Sequence, residues 1–151
     1  MTQASTQQKL YDRDLNLWVE DTVAKLKARQ FDQLDLDNLI DEVEALSRSD
    51  KRELRNRLRV LLSHLLKRRY VDAAEDVRGW ELTIREQRSA LAQILEDSPS
   101  LKSYLLNNLS QAWQKALAET REDYPMVEFP NEYPFPNDVE ALLTEKFWKQ
   151  E

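Results

Sequence analysis

Four arginines, Arg48, Arg52, Arg55 and Arg59, follow one another at spacings of four, three and four residues. At 100° per residue they form one stripe along a helix face. A row of guanidinium groups suits phosphates or carboxylates. If the helix is continuous, Asp37, Asp41 and Glu44 fall on the same stripe, and its sign changes at the Glu44–Arg48 pair. Carboxylates are close at hand, because Asp32, Asp35, Asp37, Asp41, Glu42 and Glu44 come with no intervening base. A sequence pI near 5.0 also repels a polyanion at long range. Pairing with carboxylates, in this chain or on a partner, therefore ranks above nucleic-acid binding.

His64 is the only histidine, and it sits at the boundary of its helix's apolar face, with Glu53, Arg57 and Arg68 on the same polar flank. A carboxylate beside an imidazole can tune a general base, but the plainer role is a hydrogen bond within the helical body. Multi-histidine zinc sites and HExxH are excluded. A carboxylate site for magnesium or manganese has no positive support, so neither metal nor cofactor is expected. The acidic run from Asp35 is not a calcium loop, since its sixth position is Ile40 and its twelfth Leu46. With the single glycine at 79, phosphate loops, nucleophile elbows and dinucleotide fingerprints are ruled out. Arg88 follows Ile84 by four and so lies beside an apolar stripe, where a charge needs a carboxylate. Glu42 and Glu44 are the candidates. Arg85 and Arg88 could alternatively frame an anion pocket.

The elements that must carry these groups are helical. Leu10, Leu15, Trp18, Val19, Thr22, Val23 and Leu26 predict a helix over 9–28. Leu36, Leu39, Ile40, Val43 and Leu46 open a second stripe that resumes at Leu54, Leu58, Leu61, Leu62, Leu65 and Leu66. Ser47–Asp50 is its weak point, so 36–70 is one long helix or two collinear ones. Residues 71–79 read as a connection. A third stripe runs from Trp80 to Leu95, and Ser98-Pro99 predicts the start of the next helix, ending near 122. Four of the five prolines lie in 125–136, an extended aromatic segment expected to pack across the helices. Asn137 with Glu140 suggests a capping box opening a short helix through Trp148. The four tryptophans, at 18, 80, 113 and 148, fit core or interface positions better than a base-stacking platform.

Composition agrees. One glycine in 151 residues argues against folds rich in tight turns, and the absence of cysteine excludes disulfides and thiolate chemistry. No apolar run reaches the roughly 20 residues of a membrane span, and MTQASTQQKLYDRD has no signal-peptide core, so a cytoplasmic location is expected. The net charge of −6 hides segregation: residues 48–88 hold 12 basic and 7 acidic side chains.

Asp35-Leu-Asp-Asn-Leu-Ile-Asp-Glu-Val-Glu44, Leu61-Leu-Ser-His-Leu-Leu-Lys67, Trp80 with Thr83-Ile-Arg-Glu-Gln-Arg88, and Ser98-Pro-Ser-Leu101 stand in the order and spacing of a known family. Together with Tyr11 to Trp18 and Phe147-Trp148, they resemble the twenty-ninth family in the domain-of-unknown-function series. Its members are small bacterial proteins, common in photosynthetic species. Arg68 departs from the pattern, standing where the family carries an aromatic. The resemblance implies an all-helical fold but no activity. It also implies that Glu42, Glu44, His64, Trp80, Arg85 and Arg88 belong together, as one interhelical lock or polar site.

The expected architecture is all-α: one helical domain over 1–151, an irregular bundle of four or five main helices with residues 1–8 disordered. The proline-rich 125–136 segment and a short terminal helix pack outside it. The expected function is a non-enzymatic protein-interaction module, with the arginine stripe and the 124–136 segment as docking surfaces. The alternatives are a nucleic-acid-associated protein using Arg48, Arg52, Arg55 and Arg59, and a small hydrolase or metal-dependent enzyme centred on Glu42, Glu44 and His64. A homodimer stays open.

Overall fold

The computed structural model describes residues 10–148, which contain helices and no strand. Four are long: α1 (Leu15–Lys27), α2 (Leu36–Tyr70), α3 (Val77–Asp97) and α4 (Leu101–Asp123). A short α5 (Val139–Thr144) follows, and one 3-10 turn (Phe31–Gln33) precedes α2. The chain divides into two compact units, one ending at Ser49 and the other beginning at Asp50. Ser47–Asp50 does not break α2, which is a single helix.

In the N-terminal unit the helix expected over 9–28 is interrupted. Residues 10–13 are helical, but Asp14 is extended, and its carboxylate accepts the Leu17 N–H at 3.1 Å. It is an N-cap, and α1 starts after it. At the other end Arg29 takes φ 62°, while its N–H donates to Leu26 O at 3.1 Å and that of Gln30 to Lys25 O at 2.9 Å. These are the two bonds of a Schellman stop, here with arginine where glycine is usual. Trp18 is buried edge-on to Tyr11, with ring centroids 5.0 Å apart, and Thr22 is buried through its bond to Trp18 O. The apolar stripes of this unit are largely open. Leu15, Val19 and Val23 on α1, and Leu36, Ile40, Val43 and Leu46 on α2, are 41–68% exposed.

The C-terminal unit holds a closed core. Leu54, Leu58, Leu61, Leu62, Leu65 and Leu66 of α2 are fully enclosed. They share a cluster with Ile84, Leu91 and Leu95 of α3 and with Leu105, Leu109, Trp113 and Ala116 of α4. One polar link lies inside it. Thr120 donates its hydroxyl to Ala116 O at 2.6 Å, so Ser63 must be the donor in the 2.8 Å contact with Thr120.

Several boundaries move by a turn or less. Gly79 lies inside α3 with no positive φ, and nothing stands within 4 Å of where a Cβ would be, so the connection is 71–76. Helix α4 begins at Leu101 because Ser98–Ser100 form a turn closed by Leu101 N–H to Ser98 O at 3.0 Å. Asp138, rather than Asn137, caps α5 by accepting from Glu140 N–H, and the helix stops at Thr144, short of Trp148. Residues 124–138 are non-helical; Phe129 and Phe135 are buried, and Tyr133 stands edge-on to Trp113. Burial raises the Tyr133 phenol well above its ordinary value. Among the described residues, no helix is long and apolar enough to cross a membrane.

The contrast along α2 is measurable. Leu62→Ala should cost about 2–5 kcal/mol in urea unfolding, because it opens a cavity in a closed core. Val43→Ala, on an exposed stretch of the same helix, should stay within about 0.5 kcal/mol. Similar losses at both positions would contradict this division.

Candidate functional site

The arginine stripe is largely engaged, and chiefly by α4 rather than by the acidic run. Arg59 Nη1 reaches both carboxylate oxygens of Glu119, at 2.7 and 2.6 Å, and Arg55 donates to the Tyr104 hydroxyl. Lys51 lies 5.4 Å from the centre of the same tyrosine ring. Of the six acidic residues ahead of the stripe, Glu44 alone pairs with it, at 3.5 Å from Arg48. Arg52 is exposed and makes no hydrogen bond or ion pair among the described residues. Exposed pairs of this kind contribute about 0–1 kcal/mol each.

Of the six residues grouped by the resemblance, five have separate partners and Arg85 has none among the described residues. In the N-terminal unit, Glu42 accepts from the Tyr11 hydroxyl, while Glu44 holds Arg48. The bond to Glu42, with nearby carboxylates, raises the pKa of Tyr11. In the C-terminal unit, His64 donates Nδ1–H to Val60 O of its own helix at 2.8 Å. Trp80 is buried edge-on to Tyr124, 6.2 Å between centroids.

Arg88 departs from the expected carboxylate pairing. Its Nε donates to Leu142 O at 2.9 Å and its Nη2 to Glu145 O, and the guanidinium lies over the Phe147 ring. Two carbonyls at the end of α5 thus satisfy a half-buried cation, left without intrahelical partners by the helix terminus. Burial lowers its pKa from the ordinary arginine value.

Arg85 is exposed with no hydrogen bond or ion pair among the described residues. With Arg88, Lys146 and Trp148 it borders an open cavity of about 520 Å³, floored by Ile84, Ala92 and Leu143 and edged by Glu81. Glu81 is tied to Arg68 at 2.9 Å, and Arg68 in turn lies 5.1 Å over Trp148. An anion with a flat apolar body matches this lining. Sequence reasoning missed Lys146 and Glu81, since the expected helix through Trp148 stops at Thr144 and the sequence does not display which side chains of α3 meet the stretch after it. Among the described residues, no group of three or more histidine, aspartate or glutamate side chains is placed to hold a metal ion.

Two outcomes follow. Burial lowers the pKa of His64 below its ordinary 6.5, with Lys67 adding to the effect and the Val60 bond opposing it. Between the folded and unfolded values the unfolded chain holds a proton that the folded one lacks. The contribution of neutral His64 is therefore intact above about pH 6.5 and shrinks as the pH falls below it. His64→Gln should lose less stability than the parent between about pH 6.5 and 5.5, read from urea midpoints; equal losses would count against it. Arg88→Ala should speed amide exchange across residues 139–145 about tenfold or more, since charged hydrogen bonds contribute about 1.5–3 kcal/mol.

No curated protein and no solved structure matches this chain. The model of one family, the domain of unknown function DUF29, matches residues 10–148. That range covers both units, and it includes the acidic opening of α2, the His64 segment and the Arg85–Arg88 segment that carried the resemblance. The chain belongs to the DUF29 family.

Proposed function

We propose that this protein is a non-enzymatic protein-interaction module of the bacterial cytoplasm, docking through the apolar side of its N-terminal unit. One observation carries the reading. Of the twelve large apolar side chains exposed among the described residues, nine lie between Leu15 and Leu46. Scattered exposed leucines are ordinary, but a concentration of this kind supports a surface that another molecule covers. Burying a Leu, Ile or Val side chain contributes about 1.5–3 kcal/mol relative to full exposure, so a partner has several half-exposed groups to gain from.

This reading moves the docking surface away from the 124–136 segment. Phe129 and Phe135 are turned into the core of their own unit, and Met126 is the large apolar side chain left exposed in that segment. A nucleic-acid reading has Arg52 and the loosely held Arg48 to work with, because Arg55 and Arg59 are engaged by α4.

A tagged pull-down from native lysate, with and without nuclease, separates these readings. The expected result is a stoichiometric protein partner that survives nuclease and is lost with Ile40→Ser/Val43→Ser. Partners released by nuclease, and lost with Arg52→Glu, would move the arginine stripe to first place. A protein that comes down alone would contradict the interaction reading.

A further inference from the structure

The uncovered stretch of α2 has a particular electrostatic frame. Leu36, Ile40 and Val43 repeat at helical spacing on α2, as the enclosed Leu54, Leu58, Leu61 and Leu65 do, but in the N-terminal unit they form an open seam. From Leu36 to Leu46 the open seam runs about 15 Å at 1.5 Å per residue, the length of roughly three helical turns. Six carboxylates and no base occupy residues 31–47. At 100° per residue, Asp37, Asp41 and Glu44 flank the seam on one side and Glu42 on the other. Asp37 and Asp41 are exposed with no hydrogen bond or ion pair among the described residues.

We infer that the occupant of this face is a basic amphipathic helix of a partner protein. It would place about three turns of apolar side chains on Leu36, Ile40 and Val43, and lysines or arginines against Asp37 and Asp41. The inference rests on the docking reading above and gives the partner its chemistry. Helix-in-groove recognition uses apolar anchors at this spacing, and rim charges of opposite sign set which partner is accepted. A second copy of the chain fits the face less well. An antiparallel copy registered to set Leu36 against Leu46 and Ile40 against Val43 brings Asp41 close to its own counterpart. The register that pairs acids with the arginines instead sets Ile40 against Arg52. Apolar and charge matching thus demand different alignments, a conflict that a basic helix does not have.

The test uses the full chain and two fluorescein-labelled probes of about four turns: an amphipathic leucine–lysine peptide and its twin with glutamate for every lysine. Anisotropy titrations should show the lysine peptide binding at least about tenfold tighter, a difference of roughly 1.4 kcal/mol. Asp37→Asn/Asp41→Asn should bring the two peptides to near parity, whereas Glu96→Gln/Asp97→Asn should leave the preference intact. Ile40→Ser/Val43→Ser should abolish binding of both. Equal binding of the two peptides to the parent chain would overturn the basic partner and leave the apolar docking face standing. A dimer in sedimentation that Val43→Ser dissociates would make the second copy the occupant and overturn it too. Binding of neither peptide by a monomeric chain would overturn both readings.

Discussion

The C-terminal unit depends on keeping the apolar face of α2 out of water. Over Leu54 to Leu66 the face is sealed by α3 and α4, and six leucines there expose nothing. Hydrophobic burial at about 25 cal/mol per Å² acts wherever apolar surface is removed from solvent. Earlier in α2, in the N-terminal unit, Leu36, Ile40 and Val43 stand about half open. A single helix thus presents a finished core in one unit and an unfinished one in the other. The docking proposal follows from that asymmetry.

Polar groups join the helices of the sealed half. Arg59 and Glu119, Arg55 and Tyr104, and the Ser63–Thr120 hydroxyl pair all join α2 to α4. Arg88 and Arg68 tie the stretch after α5 to the body, through the Leu142 and Glu145 carbonyls and through the Trp148 ring. Buried or half-buried polar groups of this kind cost stability when unpaired. Their positions specify how the helices meet more than how strongly they hold.

Much of this was legible in the sequence, for reasons that can be named. A 3.6-residue apolar period is a property of one helix, so α2, α3 and α4 could be placed from Leu54–Leu66, Trp80–Leu95 and Leu101–Ala116. Periodicity does not reveal whether a stripe is covered, so Leu15, Val19, Ile40 and Val43 read no differently from Leu54 or Leu61. Caps were harder. Asp14 falls inside the helix expected over 9–28, and Gly79 inside the expected connection over 71–79 although its backbone is helical. Partners across helices depend on packing register, which the sequence does not display. The arginine stripe could be drawn, but Glu119 and Tyr104 could not be picked as its partners, nor the carbonyls of α5 as those of Arg88.

The central claim is that the open stretch of α2 is a protein-binding surface in the cell. Site-specific photocrosslinking tests it most directly, with a benzophenone amino acid replacing Val43 in one strain and Leu106, an exposed leucine of α4, in another. The account predicts a discrete covalent adduct with one protein from position 43 and none from position 106. No adduct at 43, or the same pattern at both positions, would contradict it.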